Sequence, residues 1–199
     1  FTETFGVSAF ATTELEDVFT PAELTVFLAL ADLTRKACLT KYAGINAADG
    51  GYDEGAVIAE IGGDYQNGLK GMFLKNYRLT APGAQEVRNA LASLTERKVV
   101  LSDGKYSLAG DFKRFAENFL VIDTIAFYEA FSTLPTGEIA TMAKLAASAG
   151  KSDLFALFYD GDVVQFNTIS AIQLLYNIEA VMSCPEFQKP VEEPAQIGR

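Results

Sequence analysis

The sequence predicts an α+β protein in which a helical N-terminal half ends in a tight hairpin, and a small antiparallel β-sheet plus helices makes up the C-terminal half. Three observations carry that prediction. "FTPAE" at residues 19–23 is a helix start, and a long apolar run follows it. "KVVLSDGKYSLAG" at 98–110 and "LFALFYDGDVVQFN" at 154–167 each set Asp-Gly between β-rich runs. Elsewhere apolar residues recur at helical spacing.

In the first helix Thr20 stands at the N-cap, Pro21 at the first helical position and Glu23 three residues after the cap. Thr20 and Glu23 can then satisfy each other's free backbone donors as a capping box. The helix is predicted to run to about residue 40. Leu24, Val26, Phe27, Leu28, Leu30 and Leu33 cover more than one of its faces, which predicts burial on most sides. "YAGINAADGGYDEGA" is a loop, and short helices are expected at 53–61 and 65–76. A further helix is predicted over 82–97, with Thr80 as its cap and Val87, Ala90, Leu91 and Leu94 on one face. The hairpin then pairs Val99–Ser102 with Lys105–Leu108 through a type I′ turn, whose two central residues, Asp103 and Gly104, both need positive φ.

Phe112, Phe115 and Phe119 in "GDFKRFAENF" have helical spacing, whereas "LVIDTIAFYEAF" reads as a strand and "TGEIATMAKLAASAG" as a helix. A second hairpin turns at Asp160-Gly161, setting Phe158 opposite Val163, Leu157 opposite Val164 and Phe155 opposite Phe166. Phe155, Leu157, Val164 and Phe166 then share one apolar face, which a helix at 169–182 is expected to cover with Ile169, Ile172, Leu175 and Ile178. The proline-bearing tail from Cys184 to Arg199 reads as irregular.

Composition narrows the function classes. With 199 residues, 49% of them hydrophobic, the chain can build a real core. No apolar run reaches the roughly eighteen residues of a membrane-spanning helix, so the expectation is a soluble, cytoplasmic protein. Phe1 in place of Met reads as a processed or trimmed chain. Cys38 and Cys184 form neither a zinc pattern nor a disulfide framework; two reduced thiols are the plainer reading, and one bridge is compatible with the count. There is no histidine, which removes Ser-His-Asp and Cys-His catalysis and every His-based metal site. Gly150-Lys151-Ser152 imitates the end of a phosphate-binding loop, but Leu145 stands where that loop needs its first glycine. The bland reading is a helix end capped by Gly150. "NAADGGYDE" fails as a calcium loop, because Ile45 and Ala56 fall on positions that need carboxylates. No catalytic residue, cofactor or metal is predicted.

Charge distribution says more than the net value of −10. Residues 1–69 hold 3 basic and 11 acidic side chains, residues 70–114 hold 9 and 4, and residues 115–199 hold 4 and 11. The basic island coincides with the helix at 82–97 and the hairpin after it. A nucleic-acid reading therefore names Gln85, Arg88 and Asn89 as base or phosphate readers, and Lys98, Lys105, Lys113 and Arg114 as phosphate neutralisers. Against it stand the short hairpin, the acidic flanks and a helix whose first turn offers only Arg88 as a strong donor. A helical surface carrying Lys and Arg is more often a solvated face.

The order of helix, short helix, amphipathic helix and hairpin over 20–116 resembles the winged-helix superfamily. The chain divides on this reading into an extension at 1–19, a winged-helix-like domain at 20–118, a sheet-plus-helix subdomain at 119–183 and a tail at 184–199. The order of "FTPAELTVFLALADL", "LASLTERKVVLSDGKYSLAGDFKRF" and "LFALFYDGDVVQF" also resembles, more loosely, the chaperone-like proteins of type VII (ESX) secretion. That resemblance implies binding of a partner protein, no catalysis and no transferable site residue. The expected function is a non-catalytic, protein-binding adaptor or chaperone-like protein, with homodimerisation compatible. The alternative is a DNA-binding transcriptional regulator using the helix at 82–97 and the wing at 99–108.

Overall fold

The computed structural model describes residues 15–45, 51–63, 68–120, 124–133, 136–137, 139–149, 154–159 and 161–183. A strand, β1 (Glu16–Phe19), comes first, and α1 (Pro21–Tyr42) follows after Thr20. The Thr20 hydroxyl accepts from Glu23 N at 3.2 Å and Glu23 Oε2 accepts from Thr20 N at 2.8 Å, so the capping box forms as its spacing predicts.

Helix α2 (Glu54–Gly62) is capped by Asp53, whose Oδ1 accepts from Ala56 N at 2.7 Å. Helix α3 (Leu69–Tyr77) begins after Gly68, which has no side chain to offer. Asp32 of α1 supplies the cap across space, accepting from Leu69 N at 2.8 Å and Lys70 N at 3.0 Å. Lys70 in turn caps the end of α2, its Nζ donating to the Glu60 carbonyl at 2.6 Å and the Gly63 carbonyl at 3.0 Å. Helix α4 (Ala84–Glu96) starts later than expected: Gly83, not Thr80, is its N-cap, and Glu86 accepts from Gly83 N at 2.8 Å. Pro82 explains the shift, because it disfavours helical backbone at the residue before it.

The first hairpin forms where the sequence puts it, as β2 (Val100–Ser102) and β3 (Tyr106–Leu108). Its turn differs. Ser102 faces Tyr106, leaving a three-residue loop in which Gly104 alone takes positive φ, so the type I′ turn does not form. Tyr106 is held in place by a third chain segment: Tyr52 N donates to Tyr106 O at 2.8 Å and Tyr106 N to Tyr52 O at 2.7 Å. Helix α5 (Gly110–Asn118) follows directly.

The second half is mostly sheet: β4 (Thr124–Thr133), β5 (Ile139–Ala149), β6 (Leu154–Tyr159) and β7 (Val164–Ile169), then α6 (Ala171–Met182). Five strands lie in the order β1-β7-β6-β5-β4, all antiparallel. Residues 16–19, inside the expected N-terminal extension, are thus an edge strand, and Leu15 N donates to Thr168 Oγ1 at 2.8 Å beside them. The stretch "IATMAKLAASA", expected to be helical, is β5. Its Ala, Met, Lys and Leu favour helix only weakly, and hydrogen-bonded neighbours on both sides outweigh that local preference. A strand therefore precedes Gly150, which removes the helix-end reading; Gly150, Lys151 and Ser152 themselves lie outside the described residues.

In the second hairpin Tyr159 faces Val164 and Leu157 faces Phe166, a register two residues away from the predicted one. An even slip keeps every side chain on its face. Phe155, Leu157, Val164 and Phe166 accordingly share one fully buried face. Their cover is the helical half rather than α6. The Phe166 ring lies 5.3 Å from Phe27 and 5.0 Å from Phe115, and Phe155 lies 5.2 Å from Phe115 and 5.0 Å from Phe119. Tyr77 adds a hydrogen bond from its hydroxyl to the Leu157 carbonyl at 2.7 Å. Leu154, Ala156 and Ile169 on the opposite face are also buried, and α6 buries Leu174 while Ile172 and Leu175 stay half exposed. The two halves thus share one phenylalanine-centred core.

Candidate binding groove beside the hairpin

The residues named for nucleic-acid contact lie on α4, the hairpin and α5, and most engage each other or a carboxylate. Arg88 Nε donates to Glu54 Oε1 at 2.7 Å, tying α4 to α2, and Gln85 Nε2 donates to Asn89 Oδ1 at 3.0 Å. Arg114 pairs with Asp111 at 2.9 Å and Lys113 with Glu117 at 3.9 Å, both on the surface of α5. Lys98 and Lys105 are exposed, with no ion pair among the described residues. Lys98 also has a backbone task. It takes φ of 60° just past α4, where Lys98 N donates to Thr95 O and Val99 N to Leu94 O, closing the helix end.

Two further members of the basic island serve the fold. Lys70 is buried under the end of α2. Arg97 binds Asp17 and the Val18 carbonyl of β1, stands 3.4 Å from Glu23 and places its guanidinium 5.1 Å from the centre of the Phe19 ring. Burial alone would raise the Glu23 carboxyl. The Ser93 hydroxyl at 2.5 Å, the Thr20 amide and hydroxyl, and Arg97 outweigh it and hold Glu23 below its ordinary range. Much of the island's charge therefore serves to join α4, β1 and α1.

A concave surface opens on the other side of the hairpin. Two cavities of about 420 Å³ each meet along the C-terminal half of α1, sharing Cys38, Lys41 and Glu117. The floor is one stripe of α1, in which Thr34, Ala37, Cys38 and Lys41 recur at helical spacing. One wall is the hairpin sheet, with Tyr52 and Leu108; the other is α5, with Lys113 and Glu117. Tyr52 is anchored by its hydroxyl, which donates to the Leu33 carbonyl at 2.9 Å. Gly51 has φ of 79°, and a Cβ there would meet the Tyr106 carbonyl oxygen at 3.0 Å. Only glycine lets this wall close against β3.

Exposure changes sharply along α1. Residues 23–32 are buried without a break, whereas at the far end Leu39 is 44%, Tyr42 76% and Ile45 61% exposed. These three mark the mouth of the groove region, and the sequence reading did not find it. A signal was present: the dense leucines of α1 thin out into "TRKACLTKY". Lys113 is the single residue shared by the nucleic-acid set and the groove lining. Cys38 is a half-buried thiol in the floor. Among the described residues, no group of three or more Cys, Asp or Glu is gathered to hold a metal ion, and no helix is long and apolar enough to cross a membrane. Comparison with protein families, with characterised proteins and with solved structures returns no match.

Proposed function

We propose that this chain is a non-catalytic, protein-binding adaptor of chaperone-like character, built on a winged-helix-like scaffold. The observation that carries the reading is the exposure step along α1. A helix sealed over its first half emerges beside a groove with a leucine, a tyrosine and an isoleucine in water. Removing such side chains from water contributes about 25 cal/mol per Å² of apolar area, and aromatic anchors at a concave site are the usual centres of protein interfaces. The scaffold part of the reading follows the order of α1, the Tyr52 segment, α2 to α4 and the hairpin. The chaperone-like part follows the looser resemblance in element order and assigns no residue.

The DNA-binding reading draws on Lys98 and Lys105, which stay exposed. It is the weaker of the two, because Arg88, the strong donor on α4, is engaged with Glu54. Cross-linking in native lysate with the whole chain as bait tests the adaptor. A protein retained through high-salt washing by the wild type, and lost from a Leu39→Ser/Tyr42→Ser chain, is the expected result. Recovery of the bait alone would dismiss the adaptor. Duplex DNA binding that falls steeply with salt and vanishes in Lys98→Glu/Lys105→Glu would install the regulator in its place.

A further inference from the structure

We infer that the groove between α1, the hairpin and α5 receives a short acidic segment of the partner protein, carrying one or two bulky apolar anchors; this rests on the adaptor reading above. Charge complementarity selects the occupant. The chain carries a net −10, yet the groove lining brings Lys41 and Lys113 together against one carboxylate, Glu117. Lys105 is rooted at the rim, its Cβ 3.2 Å from where a Cβ on Gly51 would stand. Screening reduces the field of distant acidic residues within about 8 Å at physiological ionic strength, so at contact distance the local lysines dominate.

Shape selects the same occupant. Thr34, Ala37 and Cys38 give the floor small side chains, which let a partner backbone come close to α1. Tyr52 and Leu108 offer apolar contact on the hairpin wall, while Leu39 and Tyr42 offer it near the mouth. An entering segment therefore meets ammonium groups beside apolar surface. The wall is rigid, because Tyr52 is fixed by two backbone bonds to Tyr106 and one hydroxyl bond to Leu33. Little ordering is then needed on this side of the interface.

The test pans a displayed library of short random peptides against the whole chain, then measures binding of selected fluorescein-labelled peptides by anisotropy. Enriched sequences should combine Asp or Glu with Leu, Phe or Tyr. Their affinity should fall about tenfold or more in Lys41→Glu/Lys113→Glu, since truncating or reversing charge pairs at a partly dry interface has effects of that size. Thermal melting checks that the variant is folded, and Ala37→Gln, which narrows the floor without changing charge, should weaken the same peptides. Neutral or basic selections, no selection at all, or affinity indifferent to both variants would overturn the inference. So would labelled duplex DNA competing for the groove, or a dimer of the chain that dissociates in the Lys41→Glu/Lys113→Glu variant. A lysate partner held equally by the wild type and that variant would leave the adaptor standing and remove the acidic segment. A lysate that yields no partner would remove the adaptor itself.

Discussion

Residues 23–32 and 33–42 belong to one uninterrupted helix, yet they live in different surroundings. The first stretch meets β1, β7, α4 and α5, and its Phe27 ring lies within 6 Å of Phe19, Phe112, Phe115 and Phe166. The second is held from fewer directions: Lys36 to Glu60 on α2 at 2.6 Å, Tyr52 to the Leu33 carbonyl, and Arg35 to the Leu120 carbonyl at 3.1 Å. Asp32 is the last residue of the buried stretch, and it spends its carboxylate on the start of α3 and on Arg35. The contrast teaches that one helix can be hub and platform at once. Burial density, more than helical propensity, marks where one role gives way to the other.

The contrast breaks most visibly in the hub. Phe27→Ala empties the point where the helical half meets the sheet, and should cost about 4 kcal/mol of unfolding free energy by loss of transfer energy and an unfilled cavity. Urea denaturation measures it. A cost below about 1 kcal/mol would mean that Phe27 is not central to a shared core. At the boundary, Asp32→Ala strands the Arg35 guanidinium and two amides of α3, for an expected loss of about 3 kcal/mol. Hydrogen exchange should then rise first in α3, whose remaining N-cap residue, Gly68, has no side chain. Uniform exchange across the molecule would deny Asp32 its capping task.

The hub was largely legible in advance, and the platform was not. Capping by Thr20 and Glu23 is written in adjacent residues, and so are both hairpins, because Asp-Gly and flanking β-formers act locally. The face shared by Phe155, Leu157, Val164 and Phe166 was readable even with the register off by two, since strand periodicity survives an even slip. What covers that face was not readable: Phe27 and Phe115 are distant in sequence, and nothing local distinguishes Leu174 from Leu175 as the inward residue of α6. β5 misled for a related reason, its alanines taking strand geometry only because β4 and β6 lie on either side. The groove depends on three segments around residues 38, 52 and 113, whose meeting no periodicity reports.

Two buried carboxylates on α1 sharpen the comparison through pH, with opposite signs. Glu23 is held below its ordinary range, so its contribution is present above its unfolded value and is lost as pH falls through the folded one. Burial pushes Asp32 above its ordinary range despite the α3 amides and Arg35. Its contribution is full below the unfolded value and is lost as pH rises through the folded one. Glu23→Gln, expected to cost about 1 kcal/mol near neutrality through its cap and the Ser93 bond, should therefore flatten the acid limb of the stability profile. Asp32→Asn should remove a decline that sets in at higher pH. Parallel changes in the two variants would contradict the assigned directions.

The smallest effect on folding is expected where binding should suffer most. Leu39→Ser and Tyr42→Ser replace side chains that already stand in water, so each should change unfolding free energy by no more than about 0.5 kcal/mol. The same changes should abolish retention of the adaptor's partner, because apolar anchors at an interface contribute to binding what they never contributed to the core. Stability and capture measured on one preparation of each variant separate the two roles. A loss of stability comparable to Phe27→Ala would make the far end of α1 a second part of the hub. Intact folding with intact capture would move the docking surface elsewhere and leave the emergence of α1 without a role in binding.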